Sequence, residues 1–393
     1  MSSTWPRVPL SELVTQRRDA VKLEDNAEYR LLGVRWYGEG AFHRETVTRD
    51  SSKAKTVYRV SPGQFIYNRL FAGKGSFGVI PPEFSDSFVS NEFPLFDTNP
   101  KRLSVEYLYL YFQQKSIWDY VDSVSTGTTA SRSRWKESQF LAHRIPLPPL
   151  SIQNRIVDIF KAVDDHVDAL STEAKALEGV YQGFLLSLGE RSGEVKIGEV
   201  VAQAFAGGTP SRSQTEFYGG DIPWLKSGEV DSDHIVTAAE FITKEGLKGS
   251  SAKMVPPGAT VVAMYGQGDT KGKAGFVEAS ICTNQAVLAL IPDESFVLPR
   301  FLLHAVRSKT DELRRRAVGS SQPNLSKSLV LTQTIPMPSS LADQERALSV
   351  IDSVRANQAV LHAEAVRLRE VRAALLSKLL ERTIEIESVE LGV

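Results

Sequence analysis

The chain has 393 residues, of which 42% are hydrophobic and 24% are charged; these proportions are typical of a globular protein with two or three cores and exclude a disordered or fibrous chain. Its 46 basic and 47 acidic side chains leave a formal net charge of -1, which excludes a strong overall attraction to nucleic acid and restricts any such binding to local patches. Cys282 is the single cysteine, which excludes an intramolecular disulfide and a cysteine-built zinc site, and without a signal peptide or a membrane-length apolar run we expect a cytoplasmic protein with no membrane partner.

Residues 1–150 are predicted to form a compact α+β domain. Short β-branched and aromatic runs, such as Gln64–Tyr67 and Gly78–Ile80, lie between glycine and proline breaks, as strands do. The segment Ser104–Gln114 has helical spacing. The run Ile145-Pro-Leu-Pro148 then ends the last strand and starts the next helix.

Residues 151–190 are predicted to form one long helix with a coiled-coil seam. Apolar side chains recur every seven residues at two positions: Ile156, Val163, Leu170, Leu177 and Phe184, and Phe160, Val167, Ala174, Tyr181 and Leu188. As a helix, the 37 residues from 152 to 188 extend about 55 Å, more than the width of a compact domain. Because the apolar stripe is so narrow, the helix needs a partner helix of similar length.

The same organisation recurs about 190 residues later in the chain. The paired segments are Val8–Leu13 with Val195–Val200, Val60–Gly63 with Val255–Gly258, Ser90–Glu92 with Thr283–Gln285, Ser125–Thr129 with Ala317–Ser321, and Ile145–Pro148 with Ile335–Pro338. We therefore predict a second α+β domain at residues 191–340, with strands at Thr260–Ala263 and Ala286–Leu290 and a helix at Pro299–Arg316. A second long helix is predicted at residues 341–383, followed by a tail at 384–393. Its seam repeats the first with two polar intrusions, Gln358 and Arg372. The ten positions are Ala347, Val354, Leu361, Leu368 and Leu375, and Ile351, Gln358, Ala365, Arg372 and Leu379.

The order of these elements predicts the topology. The first long helix carries the chain from the first domain into the second, so the second helix must return antiparallel to pair with it. We therefore expect two similar domains separated by a pair of long antiparallel coiled-coil helices, related by a pseudo-two-fold axis. The helix pair would then set the distance between the two domains.

The sequence resembles the specificity subunit of a Type I restriction-modification system. The residues that carry the resemblance are Gly207-Gly-Thr-Pro-Ser211, Tyr218-Gly-Gly-Asp-Ile-Pro-Trp-Leu225, the run Gly319–Lys327, and the Gln-x-Arg starts of the long helices, Gln153 with Arg155 and Gln344 with Arg346. The resemblance extends over nearly the whole chain.

This resemblance implies two target recognition domains, each reading one half of a split double-stranded DNA sequence, with the helix pair fixing the gap. It implies no catalytic centre, no metal and no bound cofactor in this chain. It also implies two modification subunits that dock on the helices and methylate adenine with S-adenosylmethionine. Restriction subunits would add ATP- and Mg-dependent translocation and cleavage.

Two pairs of loops are the candidate DNA contacts, because each pair occurs at matched places in the two halves. They are Arg69–Ser76 with Gln267–Lys273 and Thr128–Lys136 with Gly319–Lys327, and they combine cations, hydroxyls and amides with glycines that let a backbone approach phosphate. A solvated loop is the simpler interpretation of any one segment, and the repetition puts DNA contact on an equal footing with it. The candidate residues, including Lys226 near a turn, are Arg69, Lys74, Ser76, Thr128, Thr129, Arg132, Arg134, Lys226, Gln267, Lys271, Lys273, Ser320, Ser321, Gln322, Asn324 and Lys327.

The first long helix also has an acidic face, which would repel DNA phosphate. We therefore predict that Asp164, Asp165 and Asp168 bind a partner protein, although a solvated helix face would have the same composition.

Two alternatives stay open at this point: an autonomous DNA-modifying enzyme, and an architectural coiled-coil adaptor that reads no sequence. Phe71–Gly75 has the F-x-G-x-G form of a methyltransferase cofactor loop, but the Asn-Pro-Pro-aromatic or Asp-Pro-Pro-aromatic motif that would hold a flipped base is absent from the sequence. Gly272 and Lys273 resemble the end of a Walker loop, but Ala274 lacks the hydroxyl that would bind Mg²⁺. Both matches are more simply coincidences.

Overall fold

The computed structural model describes residues 5–127, 133–266, 268–318 and 324–380, and the chain divides into two compact units. The first unit comprises Met1–Leu170 and Ala363–Val393, and the second comprises Ser171–His362. Both boundaries fall inside the long helices, so each unit contains one globular domain and a part of each helix. The predicted tail at 384–393 lies outside the described residues.

The first unit contains an α+β domain with two main sheets, in the strand orders β2-β10-β7-β8 and β3-β6-β9-β4-β5, and a separate β1-β11 pair. Its strands are β1 (Arg7–Pro9), β2 (Val14–Arg17), β3 (Asp19–Lys22), β4 (Tyr29–Val34), β5 (Ala41–Val47), β6 (Thr56–Arg59), β7 (Phe65–Tyr67), β8 (Phe77–Val79), β9 (Ser87–Val89), β10 (Leu95–Thr98) and β11 (Arg144–Pro146). Its short helices are α1 (Val105–Tyr111), α2 (Lys115–Val124) and α3 (Glu137–Ala142).

The long helix α4 (Leu150–Ser192) begins in the first unit and ends in the second. The second unit's strands are β12 (Glu194–Lys196), β13 (Val201–Ala206), β14 (Tyr218–Leu225), β15 (Phe241–Ile242), β16 (Met254–Val255), β17 (Thr260–Ala263), β18 (Ala274–Phe276), β19 (Ile281–Thr283), β20 (Val287–Pro292) and β21 (Thr334–Pro336). Its short helices are α5 (Lys244–Lys248), α6 (Pro299–Arg307), α7 (Thr310–Val318) and α8 (Lys327–Leu331), and the long helix α9 (Leu341–Leu380) follows. The sheet orders are β13-β20-β17-β18 and β15-β14-β19-β16, with a β12-β21 pair.

The two domains have the same framework, which confirms the internal repeat. The four antiparallel strands β2-β10-β7-β8 correspond to β13-β20-β17-β18. The parallel pair β4-β9 corresponds to β14-β19. Val8 lies opposite Ile145 and Val195 lies opposite Ile335, so the matched segments pair in the same way in both domains. The domains differ mainly in the second sheet, which has five strands in the first domain and four in the second.

The predicted seam of the long helices is confirmed. Each of its twenty positions is buried or half-buried in the structure. Within the first unit Asp164 contacts Arg372 and His166 lies near Glu364, so the α9 residue number falls as the α4 number rises. Within the second unit Ala174 contacts Gln358 and Glu178 contacts Arg355, with the same relation. In each unit, therefore, the α4 and α9 segments run antiparallel.

The two polar intrusions in the second seam are hydrogen-bonded across the helix pair. Gln358 Nε2 donates to the carbonyl of Ala174 at 3.1 Å. Arg372 donates to both carboxylate oxygens of Asp164 at 2.5 and 2.8 Å. Because a buried polar group without a partner is costly, these bonds explain how a mainly apolar seam accepts both side chains.

A buried glutamine anchors the start of each long helix. Gln153 Oε1 accepts from the Ser104 amide at 3.0 Å, and Gln344 Oε1 accepts from the Leu298 amide at 2.8 Å. Each side chain also donates to backbone carbonyls: Gln153 to Arg102, and Gln344 to Phe296. The Gln-x-Arg match therefore marks the joint between each domain and its helix.

The predicted single helix at Pro299–Arg316 is wrong. The chain breaks it into α6 and α7 at Ser308 and Lys309. Lys309 forms an ion pair with Glu194 at 2.5 Å, and its carbonyl accepts from the Leu313 amide at 2.8 Å. Lys309, at the break, thus contacts a distant strand, and local spacing does not reveal such a contact. No described helix is long and apolar enough to cross a membrane.

Candidate nucleic-acid interface

The two candidate loops of the first domain lie side by side. The Arg69 amide donates to the Glu92 carbonyl, and the Arg69 carbonyl accepts from the Trp135 amide, both at 3.0 Å. The loop after β7 is therefore joined directly to the segment before α3. The sequence predicted the two loops separately, and the fold brings them together.

The second domain repeats this junction. The Met264 amide donates to the Ala286 carbonyl at 2.8 Å, and the Met264 carbonyl accepts from the Leu325 amide at 3.0 Å. Met264 thus corresponds to Arg69, and Leu325 corresponds to Trp135. Asn324 and Arg134, which precede Leu325 and Trp135, are therefore equivalent positions. The junction therefore recurs in the second domain at Met264, just before the Gln267–Lys273 loop.

Arginine side chains in the first domain are held by carboxylates. Arg69 donates to Glu137 at 3.2 Å and to the Asn91 carbonyl, and its side chain is only 14% exposed. Arg134 donates from Nε and Nη2 to the two carboxylate oxygens of Glu92 at 3.0 and 3.1 Å. These pairs neutralise both cations, so the geometry favours Arg69 as a residue that positions the loops.

Lys74 and Ser76 have different surroundings within one loop. Lys74 is exposed, and it has no ion pair with any residue that the structure describes. Ser76 is fully buried, and its hydroxyl donates to the Val34 carbonyl at 2.7 Å. The side chain of Ser76 is therefore enclosed in the domain and has a structural role, which corrects the expectation of a DNA contact.

The glycines of this loop serve packing, and the expectation that they admit phosphate was wrong. A Cβ at Gly73 would lie 2.6 Å from the carboxylate of Asp122, and one at Gly75 would lie 2.5 Å from the Trp118 ring. Gly75 also has φ +74°, a conformation that favours glycine. The F-x-G-x-G form of this loop thus reflects a tight turn against α2.

Lysines of the second domain are also paired with carboxylates. Lys226 donates to Glu240 at 3.1 Å, and Lys273 donates to Asp231 at 2.6 Å. Hydrogen bonds from Arg212, followed by those from Lys226, lower the pKa of Glu240 to about 2. Lys271 is half-exposed in the loop after β17.

The Gly-Gly-Thr-Pro motif has a packing role. A Cβ at Gly207 would lie 2.0 Å from the Thr283 carbonyl oxygen, so this close approach requires glycine. Trp224 is buried, and its Nε1 donates to the Gly208 carbonyl at 2.9 Å. Arg212, which the sequence did not single out, lies 4.2 Å from the centre of the Tyr218 ring.

The remaining candidates are exposed or lie outside the described residues. Asn324 is exposed, and Lys327 is exposed with its Nζ donating to the Ala204 carbonyl. Seven candidates fall on residues that the structure does not describe: Thr128, Thr129, Arg132, Gln267, Ser320, Ser321 and Gln322. Among the described residues, no group of three or more His, Cys, Asp or Glu side chains could hold a metal ion.

The acidic residues of α4 divide into two sets. Asp164 is half-buried and forms an ion pair with Arg372 of α9, so it belongs to the helix pairing. This contact gives Asp164 a role within the helix pair, and partner binding by Asp164 stays a prediction. Asp165 and Asp168 are exposed.

The sequence also missed the tip of the β4-β5 hairpin, Arg35–Gly40. The Tyr37 amide donates to the Lys74 carbonyl and the Gly38 amide donates to the Gly75 carbonyl, both at 2.8 Å. The hairpin tip therefore lies beside the Arg69–Ser76 loop. An aromatic pair enclosed by arginine and glycines, Arg-Trp-Tyr-Gly, is the signal that could have identified it.

The chain is similar in sequence to several known specificity subunits. The Escherichia coli "Type I restriction enzyme EcoR124I/EcoR124II specificity subunit" is 24% identical over 288 residues, which are 68% of this chain and 71% of that protein. The Haemophilus influenzae "Type I restriction enzyme HindI specificity subunit" is 24% identical over 269 residues, 67% of this chain and 56% of that protein. The match therefore spans little more than half of the HindI subunit.

Solved structures show the same fold. A chain from "Structural basis underlying complex assembly and conformational transition of the type I R-M system" matches with a TM-score of 0.65 and 19% identity, covering 98% of this chain and 99% of that chain. The Type I restriction-modification S subunit from M. genitalium matches with a TM-score of 0.52 and 14% identity, covering 96% and 97%.

A family model described as the Type I restriction modification DNA specificity domain matches residues 3–178 and 190–366. These two matches coincide with the two copies of the repeated framework and together cover most of the chain. The chain therefore belongs to the Type I restriction-modification DNA specificity family.

Proposed function

We propose that this chain is a DNA-recognition subunit without a reactive centre of its own, and that each domain reads one half of a split site. The observation that carries the proposal is the repeated junction: equivalent backbone hydrogen bonds join Arg69 to Trp135 in the first domain, and Met264, which precedes the Gln267–Lys273 loop, to Leu325 in the second. A duplicated surface of this kind suits a target made of two half-sites. Such a subunit would act in the cytoplasm, where it meets chromosomal and phage DNA.

The partners in this proposal are two modification subunits and the restriction subunits. The modification subunits would supply adenine methylation from S-adenosylmethionine, and the restriction subunits would supply ATP- and Mg-dependent cleavage. The helices α4 and α9 would fix the gap between half-sites and dock the modification subunits. Asp165 and Asp168 stay candidate contacts on α4, whereas Asp164 is used by the helix pair.

The residues proposed to meet DNA are seven of the exposed or half-exposed candidates that the structure describes: Lys74, Arg134, Lys226, Lys271, Lys273, Asn324 and Lys327. Phosphate contacts by the lysines and the arginine would position each domain, and the side-chain amide of Asn324 would reach base edges. Lys226, Lys273 and Arg134 would have to exchange a carboxylate for phosphate. Thr128, Thr129, Arg132, Gln267, Ser320, Ser321 and Gln322 stay candidates from their sequence positions alone.

A methylation assay tests this function. The purified full chain is incubated with genomic DNA and S-adenosylmethionine, alone and with the modification subunit encoded by the same cell, and the methylated adenines are mapped by sequencing. We expect no methyl transfer by the chain alone and methylation at one split motif in the complex. Methylation by the chain alone would support an autonomous enzyme. A complex that assembles but has no preferred motif would support an architectural adaptor.

A further inference from the structure

An exposed aromatic cluster lies at the tip of the β4-β5 hairpin in the first domain. Trp36 is 44% exposed and Tyr37 is 64% exposed, although both are large apolar rings. Phe71, in the adjoining loop, is 39% exposed, and its ring centre lies 5.3 Å from that of Trp36. Isolated exposed rings are common, but three adjacent ones form a patch of the kind that marks a binding surface.

The cluster is held rigidly. Backbone bonds from Tyr37 to Lys74 and from Gly38 to Gly75 fix the tip to the loop beside it. The Tyr109 hydroxyl donates to the Gly38 carbonyl at 2.5 Å, and the Tyr37 ring lies 6.2 Å from the Trp118 ring. The exposed rings are therefore presented by a supported turn.

Tyr37 adopts a strained backbone conformation. Its φ is +58°, and apart from Asn26 it is the one described residue other than glycine with a positive φ. The left-handed region is unfavourable for a bulky side chain, and such strain is concentrated at functional sites. A glycine or asparagine would adopt the turn with less strain. The turn alone therefore does not require tyrosine, which leaves a role for the ring itself.

Two exposed cations lie beside the cluster. Arg35 and Lys74 form no salt bridge with any residue that the structure describes, and the Arg35 guanidinium lies 5.0 Å from the centre of the Phe42 ring. Two carboxylates lie in the same region, Glu39 in the tip and Asp122 against Gly73. Exposed rings with cations beside them match the groups that bind nucleic acid through base stacking and phosphate contact.

We propose that Trp36 and Tyr37 stack on a base of the DNA half-site that the first domain contacts. This inference rests on the proposed function and assigns a role to these two side chains. Part of the selectivity of this domain then comes from how easily one base of the duplex is exposed, in addition to hydrogen bonds at base edges. The corresponding connection in the second domain, residues 226–240, contains no Phe, Tyr or Trp. Stacking by this aromatic pair therefore acts on one half-site.

A coupling experiment tests the stacking. The full chain in complex with its modification subunits is titrated, by fluorescence anisotropy, with a labelled duplex that carries the mapped methylation motif. Trp36→Ala removes one ring, and Tyr37→Asn removes the other while keeping a residue that tolerates positive φ. We expect each variant to bind about tenfold more weakly, because stacking on one base contributes about that factor. Trp36→Phe keeps a ring, and Phe296→Ala removes an exposed ring outside the patch; both should bind within about twofold of wild type.

Duplexes with a single abasic position identify the stacked base. At one position of the first half-site, base removal should weaken wild-type binding but have little further effect on Trp36→Ala. In the second half-site, base removal and Trp36→Ala should weaken binding independently, so that their effects on the binding free energy add. Additivity at every position, or an equal loss for Phe296→Ala, would overturn the inference.

The outcomes separate the two proposals. Absence of specific binding by the wild-type complex would overturn the proposed function. Specific binding that Trp36→Ala leaves unchanged would overturn the stacking alone. If this variant binds DNA normally but assembles poorly with modification subunits, the cluster is a protein contact, and the stacking is again wrong.

Discussion

At the residue scale, two buried histidines each contact a tyrosine hydroxyl. His143 lies 2.9 Å from the Tyr111 hydroxyl in the first unit, and His304 Nδ1 lies 2.9 Å from the Tyr181 hydroxyl in the second. Burial lowers the pKa of each imidazole to about 4, with neighbouring Arg7 and Arg307 adding to the effect. Both rings are therefore neutral in the folded protein near neutral pH.

The His304 contact makes stability depend on pH. The unfolded chain binds a proton at this histidine below about pH 6.5, whereas the folded chain does so only near pH 4. The free energy of unfolding should therefore fall as pH falls through this window, by about 1.4 kcal/mol per pH unit from this residue. Denaturant midpoints at pH 7 and pH 5 measure the effect, and His304→Asn should reduce the difference. The exposed His362→Asn is the control; the same reduction there would contradict the assignment to His304.

Lys74 should contribute to the salt dependence of DNA binding. Each phosphate contact releases counterions, so Lys74→Ala should reduce the slope of log affinity against log salt by about 0.9. Anisotropy titrations of the complex between about 50 and 200 mM salt would measure the slope. Lys101→Ala removes another exposed lysine of the same unit, from the turn before α1, and should leave the slope unchanged. An unchanged slope for Lys74→Ala would remove this residue from the interface.

The sequence could identify loops but could not predict the environment of each side chain. Ser76 and Lys74 are two residues apart in the same polar run, yet one is enclosed and the other is exposed. Burial of Ser76 depends on the carbonyl of Val34, and the neutralisation of Lys226 depends on Glu240. Such contacts join distant segments, so no local pattern reveals them. Trp36 and Tyr37 were missed because an aromatic pair between strands is usually part of a core.

At the scale of elements, the helix pair has a consistent charge arrangement. Asp164 and Glu178 lie on α4, whereas their partners Arg372 and Arg355 lie on α9. Arg355 also lies 3.9 Å from the centre of the Tyr181 ring. Carboxylates on one helix and arginines on the other favour the pairing of α4 with α9 over the pairing of either helix with a copy of itself.

Exchanging one ion pair tests this arrangement. Arg372→Asp should destabilise the first unit, because it places two carboxylates together beside Phe160. Asp164→Arg combined with Arg372→Asp should recover about 1 kcal/mol of that loss, a modest value because the Asp164 side chain is 48% exposed. Thermal unfolding of the wild type, both single variants and the double variant gives the coupling. Purely additive effects would contradict a specific role for this pair.

The long helices were the most predictable elements, because an apolar period of seven residues that persists over five heptads is specific to paired helices. The strands at Thr260–Ala263 and Gln64–Tyr67 were also found, since each is a short apolar run with clear breaks. The division between α6 and α7 was missed; Lys309 at this division forms an ion pair with the distant Glu194, a contact that local spacing does not reveal. The predicted Ser104–Gln114 helix corresponds to α1, which ends at Tyr111.

At the scale of the whole molecule, the repeat combines a constant framework with a variable part. The four-stranded antiparallel sheet and the glutamine joint recur in both domains, whereas the second sheet differs in strand number. A constant joint with a variable sheet would allow each domain to read different bases while the connection to the helices stays the same. The sequence repeat therefore predicted the framework better than the recognition surface.

The proposed spacing role of the helices leads to the last prediction. One heptad is inserted after Leu170 in α4 and one after His362 in α9, at the boundaries between the two units, so that the contacts within each unit are kept. Seven residues lengthen each helix by about 10 Å, which is the rise of about three base pairs. The double insertion should therefore lengthen the gap in the methylated motif by about three base pairs and leave both half-sites unchanged. Methylation mapping of the assembled complex measures the gap. Insertion into α4 alone is the control, because it shifts the seam contacts and should abolish methylation. A double insertion that keeps the original gap, or that changes the bases read, would show that the helices do not set the spacing.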